Sequence, residues 1–106
     1  MNGEDFAAVG RRLVALREQG AAPSDGRVQD VVAEHHRLVS RHWTPDAAGY
    51  VGLARLYRGP GGLRAFYDRI DPDLADFHAD AMEVYAATTL AGDGGHGRVA
   101  PGTAAL

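Results

Sequence analysis

"VVAEHHRLVSRHW" (residues 31–43) and "TPDAAGYVGLARLYRG" (residues 44–59), read together, decide the fold. In the first stretch Val31, Val32, Leu38 and Val39 extend a stripe begun by Val28, spaced at three and four residues as one face of an α-helix requires. The second repeats the pattern with Tyr50, Leu53, Ala54 and Tyr57 after the helix-start signal Thr44-Pro45. The expectation is a helix over roughly 25–43, capped by Ser24 or Asp25. A second helix follows, with Thr44 as its N-cap, Pro45 at its first position and Asp46 facing the positive end of its dipole.

The same periodicity extends outward. Phe6, Val9, Leu13 and Leu16 mark a first helix that stops at Gly20. After "RGPGG" a short helix holds Leu63, Phe66, Tyr67 and Ile70. "DPDLADFHADAMEVYAATTL" reads as a last helix capped by Asp71, with Leu74, Phe77, Ala81 and Tyr85 inward and His78 and Met82 at its flanks. No segment alternates at period two, so the fold class is all-α, about five helices. The domain expected over residues 1–90 is followed by a Gly-rich tail over 91–106, expected to be disordered.

Composition narrows the function classes. The 106 residues suffice for one core. A net charge of −3 gives no basic footprint for nucleic acid. No apolar run approaches a membrane span, and the first residues lack the pattern of a signal peptide, so a cytoplasmic location is the default expectation. There is no cysteine, which removes thiolate chemistry and sulfur-ligated zinc. All eleven basic residues are arginine, and the net negative charge gathers after residue 70, where one arginine faces six acids and a solvated acidic face is expected.

Five histidines are the candidates for chemistry: His35, His36, His42, His78 and His96. His35 and His42, two turns apart, are about 10 Å apart along a helix axis, too far to share one metal ion unaided. No HExxH pattern is present, so neither a metal site nor a cofactor is expected. On helical phase His35 and His42 face inward, with His36 and Trp43 at an edge. Buried tyrosines and histidines need hydrogen-bond partners. An apolar cavity fringed with such groups is the usual make-up of a small-molecule site. General acid–base chemistry by His35, His36, His42, Tyr50 and Tyr57 on a bound substrate is the competing expectation.

An ordered series of blocks carries a resemblance. "LVALREQG" precedes a Pro/Ser/Asp loop, and "AEHHR", "HWTPDAAGYVGLARLY" and "LRAFYDRIDPDLADFHADAM" follow. Over residues 6–88 the chain resembles the TipAS family, the antibiotic-recognition half of MerR-like regulators that respond to thiopeptides, with albicidin-binding relatives. The resemblance implies a globin-like helical fold without haem and a deep cleft for multi-ring natural products. That cleft would be lined by the helix bearing His36 and Trp43, by Tyr50 and by the final helix. Because the chain opens at the domain's first helix, the expectation is a stand-alone form without a DNA-binding half. The thiopeptide-responsive member captures its ligand with a cysteine; none exists here, so binding is expected to be non-covalent. The candidate ligand-binding set is His35, His36, Val39, His42, Trp43, Tyr50, Leu53, Tyr57, Phe77 and Met82. The expected function is sequestration of an aromatic or peptidic natural product for resistance or transport, by a monomer or weak homodimer. The alternative is an enzyme that cyclises or isomerises such a compound.

Overall fold

A computed structural model of the chain describes residues 3–91. Five α-helices follow one another: α1 (Gly3–Glu18), α2 (Gly26–Val39), α3 (Ala47–Arg58), α4 (Gly62–Asp68) and α5 (Leu74–Tyr85). A π-helical turn, Ala86–Leu90, extends α5. No strand occurs among the described residues, so the fold is all-α. The Gly-rich tail expected over 91–106 lies, beyond Ala91, outside the described residues.

Local chemistry sets the helix ends. α1 gives way at Gly20, whose φ of +90° suits a residue without Cβ. Asp25 caps α2 by accepting from the Arg27 backbone N–H at 2.8 Å. Two expected boundaries shift. α2 ends at Val39, not Trp43: the Ser40 hydroxyl bonds back to the His36 carbonyl, and the His42 and Trp43 amides both turn back to the Val39 carbonyl. Pro45, which disfavours helical backbone at Thr44, keeps α2 from resuming. The cap of α3 is therefore Asp46 rather than Thr44, with its carboxylate accepting from the Gly49 N–H at 2.8 Å. Asp46→Ala is expected to cost about 1 kcal/mol, read as a lowered melting temperature in a circular-dichroism melt.

α5 is the central element, packed against α1, α2, α3 and α4. Its buried face is wider than a single stripe: Leu74, Ala75, His78, Ala79, Ala81 and Met82 are all buried. His78 and Met82, expected at the flanks, are fully enclosed, whereas Phe77 and Tyr85 are only half-buried. A helix surrounded on several sides has no single inward stripe, so a phase drawn for a one-sided helix misplaces its edges. Asp73, not Asp71, occupies the N-cap position of α5, and the Asp71 carboxylate accepts from the Asp73 N–H at 2.8 Å.

The acids of α5 face solvent, as expected, and are also paired. Arg58 of α3 reaches Asp80 at 2.6 Å and Glu83 at 3.1 Å. Arg64 of α4 reaches Asp76 at 3.0 Å and also donates to the Arg58 carbonyl. Each exposed pair adds little stability, but together they fix α4, through one forked guanidinium, to α3 and α5.

Candidate ligand-binding site

The helix arrangement leaves an apolar cleft of about 300 Å³. The start of α1 contributes Gly3 and Phe6, the end of α2 contributes Val39, and the α2–α3 loop contributes His42 and Trp43. Leu53 and Tyr57 of α3, with Leu63, Phe66 and Tyr67 of α4, complete the wall. Trp43 is half exposed, at 50%, and Leu63 is also open to solvent. The indole lies against α3 because residue 49 is glycine: a Cβ there would come within 3.0 Å of the Trp43 ring. The loop thus holds a flat aromatic surface at the mouth of an aromatic and aliphatic cavity, the composition of a small-molecule site.

Of the ten candidate residues, Val39, His42, Trp43, Leu53 and Tyr57 line this cleft. His42, expected inside the helix stripe, is exposed on the loop because α2 ends three residues before it. The other five lie elsewhere. His35 and Tyr50 are fully buried, and so is Met82 on α5. His36 is half-buried on the Pro45 side, and Phe77 is half-buried on α5. Reasoning from the sequence did not select Gly3, Phe6, Leu63, Phe66 and Tyr67 for the cleft. Four of these five sit at apolar positions flagged only as inward-facing, and the signal for a cleft would have been their convergence across α1 and α4.

Behind the wall runs a hydrogen-bonded chain. His35 Nδ1 is 2.6 Å from the Tyr50 hydroxyl, and Nε2 is 2.9 Å from the Tyr57 hydroxyl. Tyr67 O–H donates to the Tyr57 oxygen at 3.5 Å, and Tyr50 O–H to the Val32 carbonyl at 3.5 Å. One assignment satisfies every member. Tyr67 donates to Tyr57, Tyr57 donates to Nε2, Nδ1–H donates to Tyr50, and Tyr50 donates to the carbonyl. Burial holds His35 well below the usual histidine range, with the neighbouring His78 and His36 adding to the effect. Burial raises the Tyr57 phenol to about 12, with the Tyr67 bond opposing it. It raises the phenols of Tyr50 and Tyr67 further. The chain is therefore neutral at physiological pH.

His36 is fixed differently. Its Nε2 lies 3.0 Å from the Pro45 carbonyl, which can only accept, so Nε2 carries the proton. Its ring stands edge-on to Tyr50 at 5.1 Å. This bond ties the end of α2 to the loop that carries Trp43. Among the described residues, no group of three or more His, Cys, Asp or Glu side chains is arranged to hold a metal ion. No helix among them is long and apolar enough to cross a membrane.

Comparison with known proteins agrees with this architecture. The TipAS antibiotic-recognition domain matches residues 2–85. The HTH-type transcriptional regulator SkgA of Caulobacter vibrioides, in strains NA1000 / CB15N and ATCC 19089 / CIP 103742 / CB 15, is 30% identical over 87 residues. That alignment covers 78% of this chain and 33% of the regulator, so the chain spans about a third of the length of the curated relatives it matches. No solved structure matches it. The family match spans nearly all the described helices, and the chain belongs to the TipAS antibiotic-recognition domain family.

Proposed function

We propose that this domain binds a flat, multi-ring, largely apolar natural product non-covalently in the cleft and so sequesters it. The observation that carries this reading is the cleft itself: about 300 Å³ of apolar space with a half-exposed tryptophan at its mouth. Family membership supports antibiotic-type ligands as the first class to try. The absence of a thiol in this sequence supports equilibrium binding over covalent capture.

The buried chain favours binding over chemistry. A general base must reach the substrate with a free lone pair. Both nitrogens of His35 are occupied by phenols, and Tyr50 is fully enclosed. His42 is the one imidazole in the cleft lining among the described residues, and that lining holds no carboxylate.

Titration with thiopeptides and albicidin-like aromatic amides, followed by Trp43 emission and by thermal shift, tests the proposal. A bound ligand covers the indole and raises the melting temperature with concentration. Trp43→Ala is expected to weaken binding roughly 30-fold by calorimetry, the loss of a central aromatic contact of about 2 kcal/mol. The melting temperature of the free domain should move little, because the indole is half in solvent. A panel that neither alters the emission nor shifts the melt would sink the reading.

A further inference from the structure

His78 lies at the centre of the molecule with nothing polar to serve it. The side chain is fully buried on α5. Neither ring nitrogen has a hydrogen-bond partner among the described residues. A weak contact with its own backbone falls short of a hydrogen bond. Three rings surround it edge-on: His35 at 4.5 Å, Tyr67 at 5.1 Å and Tyr57 at 5.2 Å between centroids. An N–H over an aromatic face gains a little, but less than a true acceptor gives. A buried imidazole has one donor and one acceptor, and leaving either unmet is costly.

Its position gives the orphan a meaning. Tyr57 and Tyr67 are both walls of the cleft and neighbours of His78, so one layer of rings separates the imidazole from the cleft. Tyr67 is the weaker part of that layer. Its only hydroxyl partner among the described residues is the Tyr57 oxygen, at the long distance of 3.5 Å. It stands on α4, a helix of seven residues. We propose that His78 is the hydrogen-bonding end of an inner subsite behind Tyr67, which takes a narrow, neutral hydroxyl or amide carried by the aromatic ligand of the cleft.

This deepens the binding reading and rests on it. The cleft supplies burial without direction; His78 supplies the polar contact that discriminates among flat ligands of equal size. The group it takes is neutral because the surrounding rings offer phenols and an imidazole but no charge. Burial also pushes His78 down to about 4, so the ring itself is neutral at physiological pH. Entry requires the Tyr67 ring to swing aside, a minor state that a ligand with the right end group makes dominant.

The test uses 2-naphthol and naphthalene on the full chain, with affinities from NMR titration. Burial alone favours naphthalene, so a reversed preference isolates the polar contact. The expected result is 2-naphthol binding at least tenfold more tightly than naphthalene, with the His78 ring ¹⁵N signals moving on addition of 2-naphthol only. His78→Leu, close to histidine in volume, and His78→Phe, which keeps the flat ring, should bring the two affinities to near parity. Both variants should melt at or above the wild-type temperature, because each removes unmet polar atoms. A retained preference in either variant, or unmoved His78 signals, would overturn the subsite while leaving the cleft reading intact. Collapse of folding in both variants would also overturn it, since an orphan that removal unfolds is a structural partner. Failure of both compounds to perturb cleft residues would remove the binding reading and the subsite together.

Discussion

His35→Ala is expected to lose a large part of the domain's stability. The side chain is fully buried and bonds two phenols, Tyr50 and Tyr57. Truncation leaves a cavity, which in comparable cores costs about 2–5 kcal/mol. It also takes the acceptor from the Tyr57 O–H, at about 1–3 kcal/mol for a buried donor left unmet, while Tyr50 keeps its long bond to the Val32 carbonyl. Together these come to about 3–8 kcal/mol, against total stabilities of about 5–15 kcal/mol for natural domains. A thermal melt should show a fall of about 20 °C or more, or no cooperative transition. The triple replacement His35→Leu, Tyr50→Phe, Tyr57→Phe separates the two causes. It removes donors and acceptors together, so it should recover much of the loss, since matched apolar groups cost far less than a broken polar network. If the triple variant is as unstable as His35→Ala, packing rather than hydrogen bonding dominates the site.

Acid should unfold the domain steeply. Two neutral imidazoles are buried side by side, His35 held well below its usual range and His78 at about 4. In the unfolded chain both titrate near the ordinary histidine value of about 6.5. Above that pH neither state takes up the proton and stability is constant. As pH falls below it, the unfolded chain gains protons that the folded chain refuses, so stability declines. Each imidazole contributes up to about 1.4 kcal/mol per pH unit, giving together nearly 3 kcal/mol per unit at the steepest point. For His78 the decline runs from about 6.5 to its folded value of about 4. The groups around the pair are Phe6 from α1, His36 from α2, Tyr50 and Tyr57 from α3, and Tyr67 from α4, none of which carries a compensating negative charge. Urea unfolding at stepped pH between 7 and 4 measures the slope. A flat profile over that interval would show that the folded imidazoles accept protons freely. His78→Leu should roughly halve the slope.

The fold class was legible because each helix carries its period in plain view, and Asp25 and Gly20 mark ends by well-understood chemistry. The end of α2 was not. The apolar spacing continues through His42 and Trp43, and only the Ser40 back-bond and the turn it begins show that the backbone has left the helix. The candidate site was half legible for a related reason. Periodicity says that a residue faces inward, but not whether inward means core or cleft. Tyr50 and Leu53 occupy the same face of α3; the first is sealed beneath His35 and the second borders open space. Phe66 and Tyr67 read as core positions of a short helix, and only the placement of α4 against the start of α1 turns them into a wall. His78 could not have been singled out, because an unmet hydrogen bond is a property of what surrounds a residue.

The early end of α2 also separates two kinds of evolutionary freedom. In residues 31–39 the buried positions Val31, Val32 and His35 are bound by helix register and by the His35 network, so a change at any of them endangers the whole fold. Residues 40–44 belong to a turn that borders solvent and the mouth of the cleft, with the indole of Trp43 resting on a glycine. Substitutions at 42 and 43 can alter what the cleft admits while the interior stays as it is. The rim can therefore be rewritten one residue at a time at little risk to folding.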